Sequence, residues 1–193
     1  MSRPKEFDPE LVMQEAMEAF WEHGYNATSV RDLLAEMKLN RGSLYGTFGD
    51  KKQLFLAALD RYAKQGFDAL QEILDRPGPA KANLVEWIRT ANQTCIGEAG
   101  QRGCLAAKAA MELAPSDPDV AQWMRNLHER VEHALAAVVR RGQGEGEINP
   151  SLDAVATGRF LMVSMSGLRS FGVISPPASQ VREVVELMLK ILD

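Results

Sequence analysis

The stretch Thr28-Ser29-Val30-Arg31-Asp32-Leu33-Leu34-Ala35-Glu36-Met37-Lys38-Leu39-Asn40-Arg41-Gly42-Ser43-Leu44-Tyr45-Gly46-Thr47-Phe48 decides how this chain is read. Val30, Leu33, Leu34 and Met37 give a short helix from about Ser29 to Met37 one apolar face. After a tight turn, Asn40 stands where it can cap a second short helix ending near Phe48. Ala35 is small enough to let the two helices approach, Leu39 puts an apolar side chain in the turn, and Leu44 and Phe48 point inward. Arg41, Gly42, Ser43 and Tyr45 are thereby turned outward. Two short helices joined in this way form a helix-turn-helix, whose second helix enters a DNA major groove.

The exposed chemistry suits that use. Arg41 can donate two hydrogen bonds to a guanine edge, worth roughly 1–3 kcal/mol of discrimination. Ser43, Tyr45 and Thr47 carry hydroxyls suited to phosphate oxygens or a base. Thr28 and Ser29 open the preceding helix, where free N–H groups and hydroxyls together hold an anion. Lys51 and Lys52 sit in the first turn of the following helix, where they oppose its dipole at a cost of a few tenths of a kcal/mol each. A nearby phosphate reverses that penalty. The bland alternative is a scaffold, since helix-turn-helix geometry also occurs in proteins that bind no DNA.

Outward from this stretch the periodicity is helical throughout. Asp8-Pro9 starts a helix whose face is Met13, Ala16, Met17 and Phe20, with Phe7 and Val12 as a hydrophobic staple and Gly24 as the stop. Asp50, with Gln53 as its capping-box partner, opens a helix reaching Leu74. Further helices are expected over about Ala80–Ile96, Cys104–Leu113, Pro118–Arg141, Asn149–Phe171 and Val181–Leu192. Gly97–Gly103 and Gly142–Gly146 read as connections. The expected fold is all-α with about nine helices. An N-terminal three-helix domain occupies residues 1–49, and a C-terminal helical bundle that dimerises occupies residues 50–193.

The residues Thr28 to Leu34, Asn40 to Tyr45, Phe48 and Asp50 to Phe55 resemble the tetracycline-repressor-like (TetR/AcrR) family of transcriptional regulators. Phe20, Gly24 and Tyr25 fit the family's F-x-x-x-G-Y at the end of the first helix. The resemblance implies that Thr28, Arg31, Arg41, Ser43, Tyr45 and Lys51 contact DNA. It also implies a homodimer formed through the last two helices, double-stranded operator DNA as a partner, and release by a small-molecule effector. Two departures stand out: Lys38 occupies a helix stop where glycine is common, and Gly46 offers no side chain to read a base.

The helix from Asn149 to Phe171 is apolar on nearly every face, and the last helix carries Val181, Val184, Val185, Met188, Leu189 and Leu192. That is more apolar surface than one helical layer covers, so it is either the centre of the domain or a contact with a second copy. Phe67, Trp87, Met111, Trp123, Met124 and Leu127 make an apolar effector cavity plausible, with Asn92, Gln93 and Thr94 as polar candidates. Cys104 starts a helix with Lys108 one turn on, a setting that favours a reactive thiol. Gly103-Cys104-Leu105 with Lys108 is similar to a segment of an electrophile- and oxidant-sensing repressor. The narrower reading is thus a thiol-sensing repressor, and the bland one a buried structural cysteine. From another class, the chain reads as a helical small-molecule binder or thiol enzyme with no DNA role; the enzyme would need a second catalytic group, which no motif supplies. His128/Glu132 and Glu129/His133 read as surface ion pairs, and no metal or cofactor is expected.

With 193 residues, 46% hydrophobic and 25% charged, the chain has an ordinary globular composition. It shows no span of twenty uncharged apolar residues and no leader-like N-terminus, and two cysteines make no disulfide framework; no membrane partner and a reducing cytoplasm are expected. The net charge of −4 taken whole speaks against nucleic acid. Locally it does not. From Thr28 to Lys52 five basic residues face three acidic ones, leaving −6 for the rest of the chain. Arg3 and Lys5 are expected to extend the same basic face.

Overall fold

The computed structural model describes residues 7–193; Arg3 and Lys5 lie outside the described residues. Ten helices follow one another: α1 (Pro9–His23), α2 (Val30–Glu36), α3 (Arg41–Phe48), α4 (Lys51–Leu74), α5 (Ala80–Gln93), α6 (Gly97–Arg102), α7 (Leu105–Glu112), α8 (Pro118–Gly144), α9 (Ala154–Gly172) and α10 (Ala178–Lys190). Nine of them are the expected helices. The tenth, α6, is six residues long and lies in the stretch that reads as a connection.

Local chemistry sets most of the boundaries. The Asp8 carboxylate accepts from Glu10 N at 2.9 Å, and Pro9 fills the first helical position, where no N–H is needed. Ser29 and Asp32 cap each other reciprocally, as do Asp50 and Gln53. The Asn40 side chain accepts from Ser43 N at 2.9 Å. Each such cap stabilises its helix by about 0.5–2 kcal/mol. Two expected boundaries move. α8 runs on through Gly142 to Gly144, and α9 begins at Ala154 rather than Asn149. Asn149 is occupied locally, accepting from both the backbone and the hydroxyl of Ser151, and Asp153 supplies the cap instead.

Two apolar clusters hold the molecule together. The first joins Val12, Met17 and Phe20 of α1 to Leu33, Leu44, and Leu54, Phe55, Ala58 and Leu59 of α4. It also takes in Leu105, Ala109 and Val120, so α7 and the start of α8 help close the core beneath the helix-turn-helix. Phe20 meets Phe55 edge-on at 4.9 Å between ring centroids. The second cluster fills the body between α4, α5, α8, α9 and α10, with Leu84, Ile88, Leu135, Leu161 and Val181 fully buried.

Lys38, at the stop of α2, has φ +51°. A residue with a Cβ pays roughly 1–2 kcal/mol for that left-handed conformation. No helix among the described residues is long and apolar enough to cross a membrane.

Candidate functional site

α3 presents the outward face that the sequence predicts. Leu44 is wholly buried, while Arg41, Gly42 and Tyr45 are exposed and Ser43 and Thr47 half-buried. Arg31 projects from α2 into solvent, and Gly46 is exposed. The cap on Asn40 fixes the first turn of α3, so Arg41 is displayed from an anchored helix end.

Four residues expected at the DNA surface are otherwise engaged. Thr28 is buried, and its hydroxyl donates to the Gly24 carbonyl at 2.6 Å, closing the turn between α1 and α2. The Ser29 hydroxyl donates to Asp32 at 2.6 Å within the cap. The Lys52 ammonium lies 2.9 Å from Asp117 and 2.7 Å from Asp119, tying the start of α4 to the start of α8. Hydrogen bonds from Lys52 hold the Asp117 carboxyl below the usual carboxylate range. Lys51 lies over the Tyr25 ring, 4.1 Å from its centroid, and burial pushes its ammonium down. Among the described residues, the exposed basic residues between Thr28 and Lys52 are therefore Arg31, Lys38 and Arg41.

A clamp between the helix-turn-helix end and the body is the main feature that sequence reasoning missed. The Glu112 carboxylate, at the end of α7, accepts the backbone N–H of Tyr25 at 2.9 Å and of Asn26 at 2.6 Å. Lys108 donates to the Trp21 carbonyl at 2.7 Å. The Trp21 indole donates to the Gly103 carbonyl at 3.1 Å, while Arg102 stacks on its ring and pairs with Glu18. Partners more than eighty residues apart leave no local signal.

The expected effector residues are spread over both apolar clusters and the surface. Phe67 is buried beneath the Arg130 guanidinium, 3.7 Å from its ring centroid. Trp87 is in the body core, Trp123 donates to Asp60 at 2.6 Å, and Leu127 is half-buried. Met111 is 72% exposed and, with Lys108, Glu112, His23 and Gly24, borders an open groove. Lys108 therefore is not the basic partner of Cys104. The thiol of half-buried Cys104 instead receives the Tyr62 hydroxyl at 3.4 Å and faces the Arg169 guanidinium from α9. Burial, with Cys104 beside it, pushes the Tyr62 hydroxyl well above its usual range. Of the polar candidates, Gln93 and Thr94 are exposed, whereas Asn92 is buried and its side-chain oxygen has no partner.

Glu132 does not pair with His128. Its two oxygens accept from Arg159 of α9 at 2.6 and 3.0 Å. Among the described residues no three His, Cys, Asp or Glu side chains gather around a metal position. α9 and α10 keep a shared apolar outer face, with Phe160, Val163, Val184 and Leu187 exposed and Val163 and Leu187 59% and 65% so.

A helix-turn-helix end clamped to an all-helical body defines a DNA-binding regulator. Residues 12–58 match the sequence model of the bacterial regulatory proteins of the tetR family, and residues 93–173 that of the tetracyclin repressor-like C-terminal domain. The uncharacterized HTH-type transcriptional regulator YezE of Bacillus subtilis is 31% identical across the full length of both chains. The HTH-type transcriptional repressor ComR of Escherichia coli is 30% identical over 86% of this chain and 80% of its own. Among solved structures, a cysteine mutant of the TetR family regulator CifR, complexed with 26 bp operator DNA, superposes with a TM-score of 0.88 at 26% identity over both whole chains. The reduced form of E. coli NemR shares the fold, with a TM-score of 0.86 at 17% identity over 95% of this chain and 96% of its own. The chain belongs to the TetR family of transcriptional regulators. It is a DNA-binding regulator, and the enzyme reading is set aside.

Proposed function

We propose that two copies of this chain form a cytoplasmic repressor that holds a palindromic operator with Arg41, Ser43, Tyr45 and Thr47 of α3 and Arg31 of α2. Gly42 allows close approach of the α3 backbone. Residues 1–49 act as the reading head and residues 50–193 as the body that dimerises and senses an effector. The observation carrying this reading is α3 itself, seated through Leu44 and displaying Arg41 and Tyr45 to solvent. The uncovered Phe160–Val163 and Val184–Leu187 face supports the last two helices as the dimer contact. A two-fold axis there sets two reading heads about one DNA turn apart.

The test is capture of genomic fragments by purified protein at moderate salt. Specific fragments should be enriched by the native chain and lost on combining Arg41→Ala with Tyr45→Phe. Retention of the same fragments by the double variant overturns the assignment. A second reading, a thiol sensor at Cys104, is favoured by the contact of its sulfur with Tyr62 and Arg169. Operator release by peroxide that persists in Cys104→Ser refutes it.

A further inference from the structure

Three glycines lie in α3 and at its stop, and the packing accounts for two of them. Gly49 ends the helix at φ +80°, and a Cβ there would sit 1.5 Å from the Gln53 side-chain oxygen that helps cap α4. A Cβ on Gly42 would press at 3.3 Å on the Asn40 oxygen that caps α3. Gly46 has no such reason. It is exposed within the helix, and a Cβ there would meet nothing within 4 Å. Glycine is, after proline, the poorest residue inside a helix, and α3 has only eight residues. The demand for a bare backbone at this position therefore lies outside the chain. At about 3.6 residues per turn, Gly46 falls opposite the midpoint of Leu44 and Phe48, the two residues that seat α3 on its core. It stands at the crest of the outward face, between exposed Tyr45 and half-buried Thr47, with exposed Gly42 one turn before it.

We infer that Gly46 is a specificity-determining position of the DNA-reading helix: its bare Cα meets the methyl group of one thymine in each half-site, and that methyl takes the space a side chain would fill. The chemistry of the crest decides for thymine. The N–H of Gly46 is used inside the helix, and the residue has no side-chain donor or acceptor. Against such a surface the ring nitrogens, carbonyls and amino groups of the major groove give up hydrogen bonds to water and gain none. The thymine methyl gives up none and gains apolar contact. Arg41 and Tyr45 then read neighbouring bases from a helix that its crest lets lie deep in the groove. This inference rests on the reading of α3 as the DNA-contacting helix and adds the base beneath its crest.

The test uses the full chain and a captured operator fragment in which each thymine in turn is replaced by deoxyuridine, the same base without its methyl. Fluorescence anisotropy follows binding by the native chain and by Gly46→Ala, and thermal melting follows their stability. One replacement in each half-site should weaken the native chain about fourfold, the worth of one buried methyl. Gly46→Ala should melt about 2–4 °C higher, because alanine suits the helix better and its Cβ has room. It should nonetheless bind the unaltered fragment about tenfold more weakly, the extra carbon being forced against the thymine methyl. On the fragment carrying deoxyuridine at that position its binding should recover, so that it prefers the base the native chain disfavours. Unaltered binding by Gly46→Ala, absence of any thymine whose methyl the native chain needs, or an equal loss in both chains on its removal each refutes the inference. A lower melting temperature of Gly46→Ala does so too, since the glycine would then serve the fold. These outcomes leave the DNA-reading role of α3 standing; retention of the fragment by the combined Arg41→Ala and Tyr45→Phe variant refutes that role instead.

Discussion

Replacing Glu112 by alanine should loosen the helix-turn-helix from the body. The carboxylate accepts two consecutive backbone N–H groups, from Tyr25 and Asn26, in the turn that leads into α2. A hydrogen bond to a charged group contributes about 1.5–3 kcal/mol when nothing replaces it. The Asn26 bond is exposed, so water takes over much of it, whereas the Tyr25 bond is partly buried. The net cost of Glu112→Ala is therefore about 2 kcal/mol, and of Glu112→Gln, which keeps a neutral acceptor, about 1 kcal/mol. For a chain of this length the alanine variant should melt about 4–8 °C lower. Urea unfolding gives the free energy, and amide exchange gives its location, with the Tyr25 and Asn26 amides exchanging faster and the core amides of α9 unchanged. A loss below about 0.5 kcal/mol with those two amides unaltered would refute the reasoning, because the clamp would then be a contact without energy.

Lys38→Gly relieves the left-handed φ and should raise stability by about 0.5–1 kcal/mol in urea unfolding; a decrease contradicts the strain argument. Arg41→Ala alone should cost about 1–3 kcal/mol of operator discrimination, read by competition between matched and mutated fragments. Because Lys52 lowers the folded pKa of Asp117, the stabilisation from this pair is fully present above the ordinary carboxylate pKa and is lost as pH falls through the lowered value. Lys52→Met should flatten that acid limb, and an unchanged acid profile would show the pair to be silent. Val163→Asp with Leu187→Asp should give a monomer by light scattering; a persistent dimer places the contact elsewhere.

Helix existence and caps were legible in the sequence because both are local. Asp8, Asn40 and Asp50 announce their helices within three residues, and each makes the bond its position predicts. Gly142 misled for a physical reason. It reads as a helix breaker, yet a Cβ there would meet Ile148 at 2.6 Å, so its smallness serves packing inside α8. Lys108 misled similarly. Its helical spacing from Cys104 is right, but its ammonium is drawn off to the Trp21 carbonyl. The actual neighbour, Arg169, is sixty-five residues away, and its only trace in the sequence is a charge in an otherwise apolar run. Thr28 and Lys52 have the right chemistry for phosphate and lose it to the Gly24 carbonyl and to Asp117 and Asp119. Competition between a local promise and a distant partner decides each of these cases, and spacing does not reveal the distant partner.

The central claim is that α3 reads DNA as one of a symmetric pair. Footprinting of the strongest captured fragment, repeated over a range of salt, tests it most directly. The account predicts two protected half-sites of inverted sequence, spaced by about one helical turn or a multiple of it, with affinity falling steeply as salt rises. Protection of a single unrepeated site, or of none, would contradict it.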